Sequence, residues 1–351
     1  VGLLLSVRYF LFKPDGIGDF VLATGAIDLL AREAGEENLV ICVRSLLAPL
    51  AKAQFPQATI IELPVAEKRK VVNLFALNFI RCLPVWRELR AQPVDGAACF
   101  RSMRNYLHTF LFYSARASRF VACENLLVRS RRASRVFVEE LAQRLVNPEL
   151  LPYPEPQPGV PSEIEANRLV VAQLLQREVD ISEVLPVLKS PDKHAAGPWV
   201  CCPLSSMESK DYPFESWRAL LEPFKSEIRD LLLVGSEHQR ARLTELEAML
   251  REAGILGARV FIPENLVAFV NVIAQSSMVL CVDTAAAHIA TALDKRCVVL
   301  FSEMHAGMFG PWKRSENQVW LTPEFPDGKK RKWHKGIPPD RAGAYVRSLL
   351  I

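Results

Sequence analysis

Apolar residues fall along this chain in two alternating rhythms. Short unbroken runs lie in RYFLF (8–12), NLVICVRS (38–45), ATIIELP (58–64) and VDGAACF (94–100), and later in WVCCPL (199–204), IRDLLLVGS (228–236), ARVFIPEN (258–265), SMVLCVD (277–283) and RCVVLFS (296–302). Their length and β-branched content predict strands, and the unbroken runs predict burial on both faces. Between them, apolar positions return every third or fourth residue, the period of a helix with one buried stripe. Such helices are expected at 20–35, with Gly35 as the stop, and at 46–55, 134–145, 162–176, 214–225, 238–254, 266–277, 284–295 and 340–350. Strand–helix alternation of this kind specifies an α/β chain built on mostly parallel sheets.

The rhythm breaks once. Between Asn147 and Glu163 stand Pro148, Pro152, Pro154, Pro156, Pro158 and Pro161. Proline lacks the amide that a helix or a central strand needs, so this stretch predicts a stiff linker between two α/β halves. The expected organisation is a first domain over 1–155, a second over 156–335, and a closing helix over 336–351 that packs back on the first domain.

Composition narrows the class. Of 351 residues, 50% are apolar and 23% charged, enough for sizeable cores and incompatible with wholesale disorder. The net charge of +4 is too small to argue for nucleic acid. Eight cysteines without C-x-x-C spacing read as buried free thiols rather than a disulfide framework or zinc site. The apolar runs are too short or too charged for a membrane span. Residues 1–12 lack the basic start and cleavage site of a signal peptide, so none is expected.

Candidate chemistry gathers at strand–helix junctions. KPDGIGD (13–19) is a tight glycine loop, but it matches neither G-x-G-x-x-G nor G-K-[ST], which argues against nicotinamide and ATPase chemistry. Asp19 has two readings: a carboxylate that caps the helix start, or a general base facing a hydroxyl. Asp15 reads as a turn residue. Farther on, Ser205, Ser206, Ser209 and Lys210 follow a strand, where a lysine is either solvated or neutralises a phosphate. In VDTAAAHIATAL, Asp283 and Thr284 sit before a helix whose first amides suit a diphosphate. His288 lies one turn on, facing the same ligand or packed in the core. No H-x-x-x-H or H-E-x-x-H pattern is present, so no metal site is expected. Arg101, Arg104, Arg116, Arg119, Arg129, Arg131, Arg132 and Arg135 form a basic stretch, and Lys329, Lys330, Arg331, Lys332 and Lys335 a second. Either can draw an anionic partner or be a solvated face. The apolar stretch Asn73–Trp86 reads as core, with a membrane surface as the alternative.

Three segments in order, KPDGIGDFVLATGAIDLL, SKDYPFESWRALLE and VDTAAAHIATALDKRCVVLF, resemble the bacterial heptosyltransferases of glycosyltransferase family 9 over roughly 8–320. The resemblance implies a GT-B fold, two Rossmann-like domains facing a central cleft. It also implies inverting, metal-independent transfer of heptose or a related sugar from ADP-heptose to a lipopolysaccharide inner core or similar anionic glycan. Asp19 would then be the base and Lys210 the counter-charge to the leaving diphosphate. Gly18, Ser206, Glu237, Asp283, Thr284, Ala285 and His288 would complete the donor site, and Arg101, Arg104 and Arg131 the acceptor side. The sugar nucleotide is a substrate, and no cofactor or nucleic-acid partner is implied. The implied location is cytoplasmic, at the inner face of a bacterial inner membrane. Departures are visible: Tyr212 stands where the family has tryptophan, Ala285 replaces the glycine after Asp-Thr, and Ser302 replaces the glycine of the last loop, where the chain reads FSEMHAGMFGPW. They keep two other functions open, a sugar-nucleotide-binding protein without turnover and a nucleotide-sugar epimerase or hydrolase.

Overall fold

The computed structural model describes residues 7–64, 74–127, 140–141, 144–190, 197–325 and 332–350. They divide into two compact units, one of residues 1–157 with 161–187, the other of 158–160 with 188–351.

The first unit runs β1 (Tyr9–Lys13), α1 (Ile17–Ala34), β2 (Leu39–Arg44), α2 (Ala48–Gln54), β3 (Thr59–Leu63), α3 (Leu74–Ala91), β4 (Val94–Cys99), α4 (Tyr106–Tyr113), β5 (Ala117–Cys123), β6 (Glu149–Leu151) and α5 (Ser162–Leu175). Its sheet has the order β3-β2-β1-β4-β5-β6, with every pair parallel. β1 is central and wholly buried, as an unbroken apolar run between two layers must be. Leu11 faces Ile41 on one side and Ala98 on the other. Phe10, Phe12, Phe112 and Phe120 build the core, and burying each such ring contributes about 1.5–3 kcal/mol.

The second unit runs β7 (Trp199–Cys202), α6 (Phe214–Leu221), β8 (Leu231–Val234), α7 (Arg240–Glu252), β9 (Ala258–Phe261), α8 (Leu266–Ala274), β10 (Met278–Val282), α9 (Ala285–Ala292), β11 (Cys297–Leu300), β12 (Gln318–Leu321) and α10 (Pro339–Leu350). Its parallel sheet has the order β12-β11-β10-β7-β8-β9. Trp199, Trp217, Tyr212 and Phe224 anchor the core.

Two segments go elsewhere than the proline break suggested. α5 belongs to the first unit: Asn167 donates to the Leu22 carbonyl at 3.1 Å, and Gly25 of α1 lies so close to residues 184–185 that a Cβ there would stand 2.2 Å from the Val184 oxygen. α10 buries Ala342 and Val346 in the core of the second unit, and Arg347 covers the Phe224 ring at 4.9 Å. The closing helix, expected to pack back on the first domain, is grouped with the second unit, where its apolar stripe is matched. Within the proline stretch, β6 forms as an edge strand, where missing amides cost least.

All eight cysteines are buried and free, and burial pushes their thiols up, Cys202 and Cys297 to about 12. No helix among the described residues is long and apolar enough to cross a membrane.

Candidate functional site

Each sheet reverses its winding once, between β1 and β4 in the first unit and between β7 and β10 in the second. At such a point the loops leaving the two strands diverge, and a crevice opens beyond their carboxyl ends. Several of the singled-out residues fall at these two places.

In the first unit, Lys13 ends β1 with its side chain fully buried. It donates to the Phe100 carbonyl just past β4 and to Glu163 Oε1 of α5 at 2.8 Å, and pairs with Asp15 Oδ2 at 3.2 Å. Asp15 in turn binds Arg101. Ser102 and the Tyr153 hydroxyl each donate to Glu163 Oε2 at 3.2 Å. Burial opposes the Lys13 charge, but the carboxylates of Asp15, Glu163 and Asp19 outweigh it and hold the ammonium above its ordinary range.

Asp19, half-buried in the first turn of α1, accepts from the Gly16 amide at 3.2 Å through Oδ2. A Cβ at Gly16 would stand 3.1 Å from that oxygen, so glycine lets the carboxylate fold back. The capping reading thus holds for one oxygen, while Oδ1 has no hydrogen-bond partner among the described residues. Burial, then the charges of Asp15 and Glu163, push the Asp19 carboxyl up to about 7, against the opposing Lys13 charge and Gly16 amide. A carboxylate so placed exchanges a proton near neutral pH. Gly18 is half-buried beside it.

In the second unit, Lys210 Nζ donates to Asp283 Oδ2 at 2.9 Å, with the side chains 14% and 6% exposed. The loop under Lys210 is fastened at several points. Asp211 accepts from the Ser205 amide at 2.7 Å and from Arg242 at 2.8 Å. The Tyr212 hydroxyl donates to the Ile337 carbonyl at 2.7 Å, and Trp333 to the Ser209 carbonyl at 2.9 Å. Tyr212, in the family's tryptophan place, is thus a buried brace with its ring against Trp217. Thr284 is the N-cap of α9, and its hydroxyl turns back to the Val282 carbonyl at 3.3 Å instead of capping. Ala285 is the first helical residue; the Ala287 amide donates to the Thr284 carbonyl at 3.1 Å, and the amides of Ala285 and Ala286 before it have no partner further back in the helix. His288 is buried; its Nδ1 accepts from Trp312 at 3.0 Å. Burial lowers its pKa to about 4, with Asp283 opposing and Lys210 adding to the shift, so the imidazole is neutral at pH 7.

The remaining candidates scatter. Ser206 is exposed. Glu237 lies on an exposed turn after β8, bound to Arg240 at 2.8 Å, whose hydrogen bond holds its carboxyl low. Arg101 is committed to Asp15 and the Pro14 carbonyl. Arg104 is 1% exposed and donates to the carbonyls of Arg101 and Cys123, which braces the loop after β4. Arg131, with Arg129, Arg132 and Arg135, lies outside the described residues, as do Lys329, Lys330 and Arg331; Lys332 and Lys335 are exposed. Asp15, Glu163 and Trp312 were not singled out as site residues. Asp15 carried a signal, a second carboxylate in the glycine loop, and Trp312 closes the quoted stretch FSEMHAGMFGPW, whereas nothing local marks Glu163. Among the described residues no cluster of three or more His, Cys, Asp or Glu could hold a metal ion.

Residues 166–337 match the model of glycosyltransferase family 9 (heptosyltransferase). Solved structures share the fold end to end. An Escherichia coli heptosyltransferase WaaC with ADP is 17% identical, covering 98% of this chain and 100% of that one at a TM-score of 0.73. The E. coli ADP-heptose lps heptosyltransferase II is 15% identical, covering 98% of each at 0.72. A glycosyltransferase family 9 protein from Veillonella parvula is 12% identical, covering 99% and 98% at 0.74. No curated protein matches the chain in sequence. The two doubly wound sheets are those of the GT-B fold, and the match of residues 166–337, just under half of the chain, to glycosyltransferase family 9 (heptosyltransferase) supports a glycosyltransferase.

Proposed function

We propose that this enzyme transfers heptose or a closely related sugar from a nucleoside-diphosphate donor, ADP-heptose, to an anionic lipopolysaccharide inner core or similar glycan, with inversion and without a metal ion. The observation that carries the proposal is Lys210 held against Asp283 at the start of α9, inside the segment that matches the family. A fixed ammonium and unpaired helix-start amides are the groups that take up charge on a departing diphosphate. They supply the role a divalent cation fills elsewhere. Solved relatives support the donor class, since their structures are described with ADP and with an ADP-fluoroheptose.

In one displacement, the acceptor hydroxyl oxygen bonds to the anomeric carbon as the bond from that carbon to the diphosphate oxygen breaks. The electron pair leaves with the nucleoside diphosphate, and the hydroxyl proton passes to Asp19. Lys210 offsets the charge developing on the leaving group. Asp283 holds Lys210 in place, and Thr284 and Ala285 present the helix start. The place proposed for the reaction is the cytoplasmic face of the inner membrane, where a nucleotide sugar would meet a lipid-borne acceptor.

The test is product analysis by mass spectrometry, with ADP-heptose and a delipidated inner-core acceptor, in the presence of EDTA. Acceptor gaining one heptose, with inverted anomeric configuration, is expected. Donor loss without acceptor would instead mark a hydrolase. Binding without any turnover over a broad acceptor panel would mark a sugar-nucleotide-binding protein. Loss of all transfer in EDTA, restored by a divalent cation, rejects the metal-independent step.

A further inference from the structure

His288 is unlike the other site residues in having its protonation pattern dictated by a neighbour. The Trp312 indole nitrogen can only donate, and it lies 3.0 Å from His288 Nδ1. The two rings are within 9° of coplanar with centroids 6.3 Å apart, the arrangement of an in-plane N–H···N bond rather than a face-to-face stack. Nδ1 therefore accepts, and in the neutral imidazole the proton sits on Nε2.

The surroundings make this setting stiff. Trp312 is 2% exposed. Trp320 of β12 packs on the same imidazole with centroids 5.6 Å apart, and Phe301, just past β11, meets Trp320 edge-on. Gly310 allows that approach, since a Cβ there would stand 2.9 Å from the Trp320 ring. The charged groups acting on the imidazole are Asp283 and Lys210. Protonation of Nδ1 would set a donor against the Trp312 donor, so Trp312 disfavours the imidazolium.

We infer that Trp312 is a positioning residue that locks His288 in its Nε2–H tautomer, so that His288 offers the donor's diphosphate one neutral hydrogen-bond donor beside Lys210. The inference rests on the donor site proposed above. It assigns to the loop after β11, where the chain departs from its family, the control of a histidine on α9. His288 in this role moves no proton. It complements the charge that Lys210 brings by supplying a directed hydrogen bond without charge.

The experiment uses the full chain labelled with 15N in its histidines. Nitrogen chemical shifts read which ring nitrogen of His288 carries the proton, and calorimetry with ADP reads the nucleotide site. In the native chain Nε2–H is expected up to the onset of acid unfolding. Trp312→Phe should yield a mixture of tautomers, raise the pH at which His288 titrates, and weaken ADP binding about tenfold, the effect of losing one well-aimed hydrogen bond to a charged group. Trp320→Phe disturbs the same aromatic nest but keeps the Nδ1 bond, and should preserve the tautomer. It also guards against a packing effect or a folding defect in the first variant.

A native Nδ1–H tautomer overturns the inference. So does an unchanged tautomer in Trp312→Phe, an unchanged ADP affinity in that variant, or an equal response in Trp320→Phe. A native chain that binds no ADP sinks the proposed donor site and this inference with it, whereas native ADP affinity that survives Trp312→Phe overturns the inference alone.

Discussion

The two units share one sheet order and use it for opposite electrostatics. At the β1–β4 reversal the first unit collects the carboxylates of Asp15, Asp19 and Glu163 around a buried Lys13, with Arg101 at the edge. At the β7–β10 reversal the second unit sets Lys210 against Asp283, next to a neutral histidine and the start of α9. Excess carboxylate raises the proton affinity of a neighbouring carboxylate, which suits a base. An excess of donors suits an oxyanion. The backbone supplies a crevice in both cases, and the chemistry comes from a handful of side chains placed on it.

The largest expected effect separates the two sites most sharply. Asp19→Ala should cut kcat by about 10²–10⁴-fold, the usual contribution of a positioned general base, while ADP binding stays native. Steady-state kinetics with calorimetry checks this, and full transfer activity in the variant removes Asp19 from the mechanism. Next comes Lys210→Ala, expected to lower kcat by about 10²–10³-fold, as for loss of one donor to a developing oxyanion, and to weaken ADP binding as well. If only the first unit's variant affected turnover, the assignment of leaving-group charge to the second would fail.

A smaller effect tests the electrostatics of the first unit. The base works deprotonated, so native kcat/KM should fall as pH drops through about 7. Asp15→Asn removes a like charge, and the acid limb of the pH profile should move to lower pH. A limb that stays in place would show that Asp15 does not act on Asp19. The same shift has a stability consequence of opposite sense. Because the folded chain binds the Asp19 proton more tightly than the unfolded one, this group's contribution to stability declines as pH rises from the ordinary carboxylate range, about 4, to about 7. Asp19→Asn should flatten that part of the stability curve, as chemical denaturation over pH would show.

The smallest effect concerns the brace under Lys210. Tyr212→Phe leaves the Ile337 carbonyl without its partner and should cost about 1–3 kcal/mol in denaturation, with only a minor change in ADP affinity. A loss of ADP binding comparable to that of Lys210→Ala would mean that the loop's anchorage, more than the ammonium, forms the site.

The alternation of runs and stripes, the parallel α/β class, and the placement of Asp19, Lys210 and Asp283 at strand ends were legible because each depends on residues close together in sequence. Other elements were not. α4 (YLHTFLFY) has too few polar positions to show a helical stripe, Arg119 interrupts the apolar run of β5, and α3 carries Pro84 inside it. β12 is a short edge strand with little pattern to show.

Sequence alone therefore determined the kind of fold and the junctions where chemistry would sit, since turn-forming residues and hydrophobic period act over a few positions. Tertiary structure alone decided that Glu163 reaches Lys13 across 150 positions, that Trp312 meets His288, and that α5 and α10 join the units they do. The physical reason is that proton affinity and hydrogen-bond direction are sums over whatever surrounds a group. In a parallel sheet those surroundings arrive at adjacent strand ends from segments far apart in the chain.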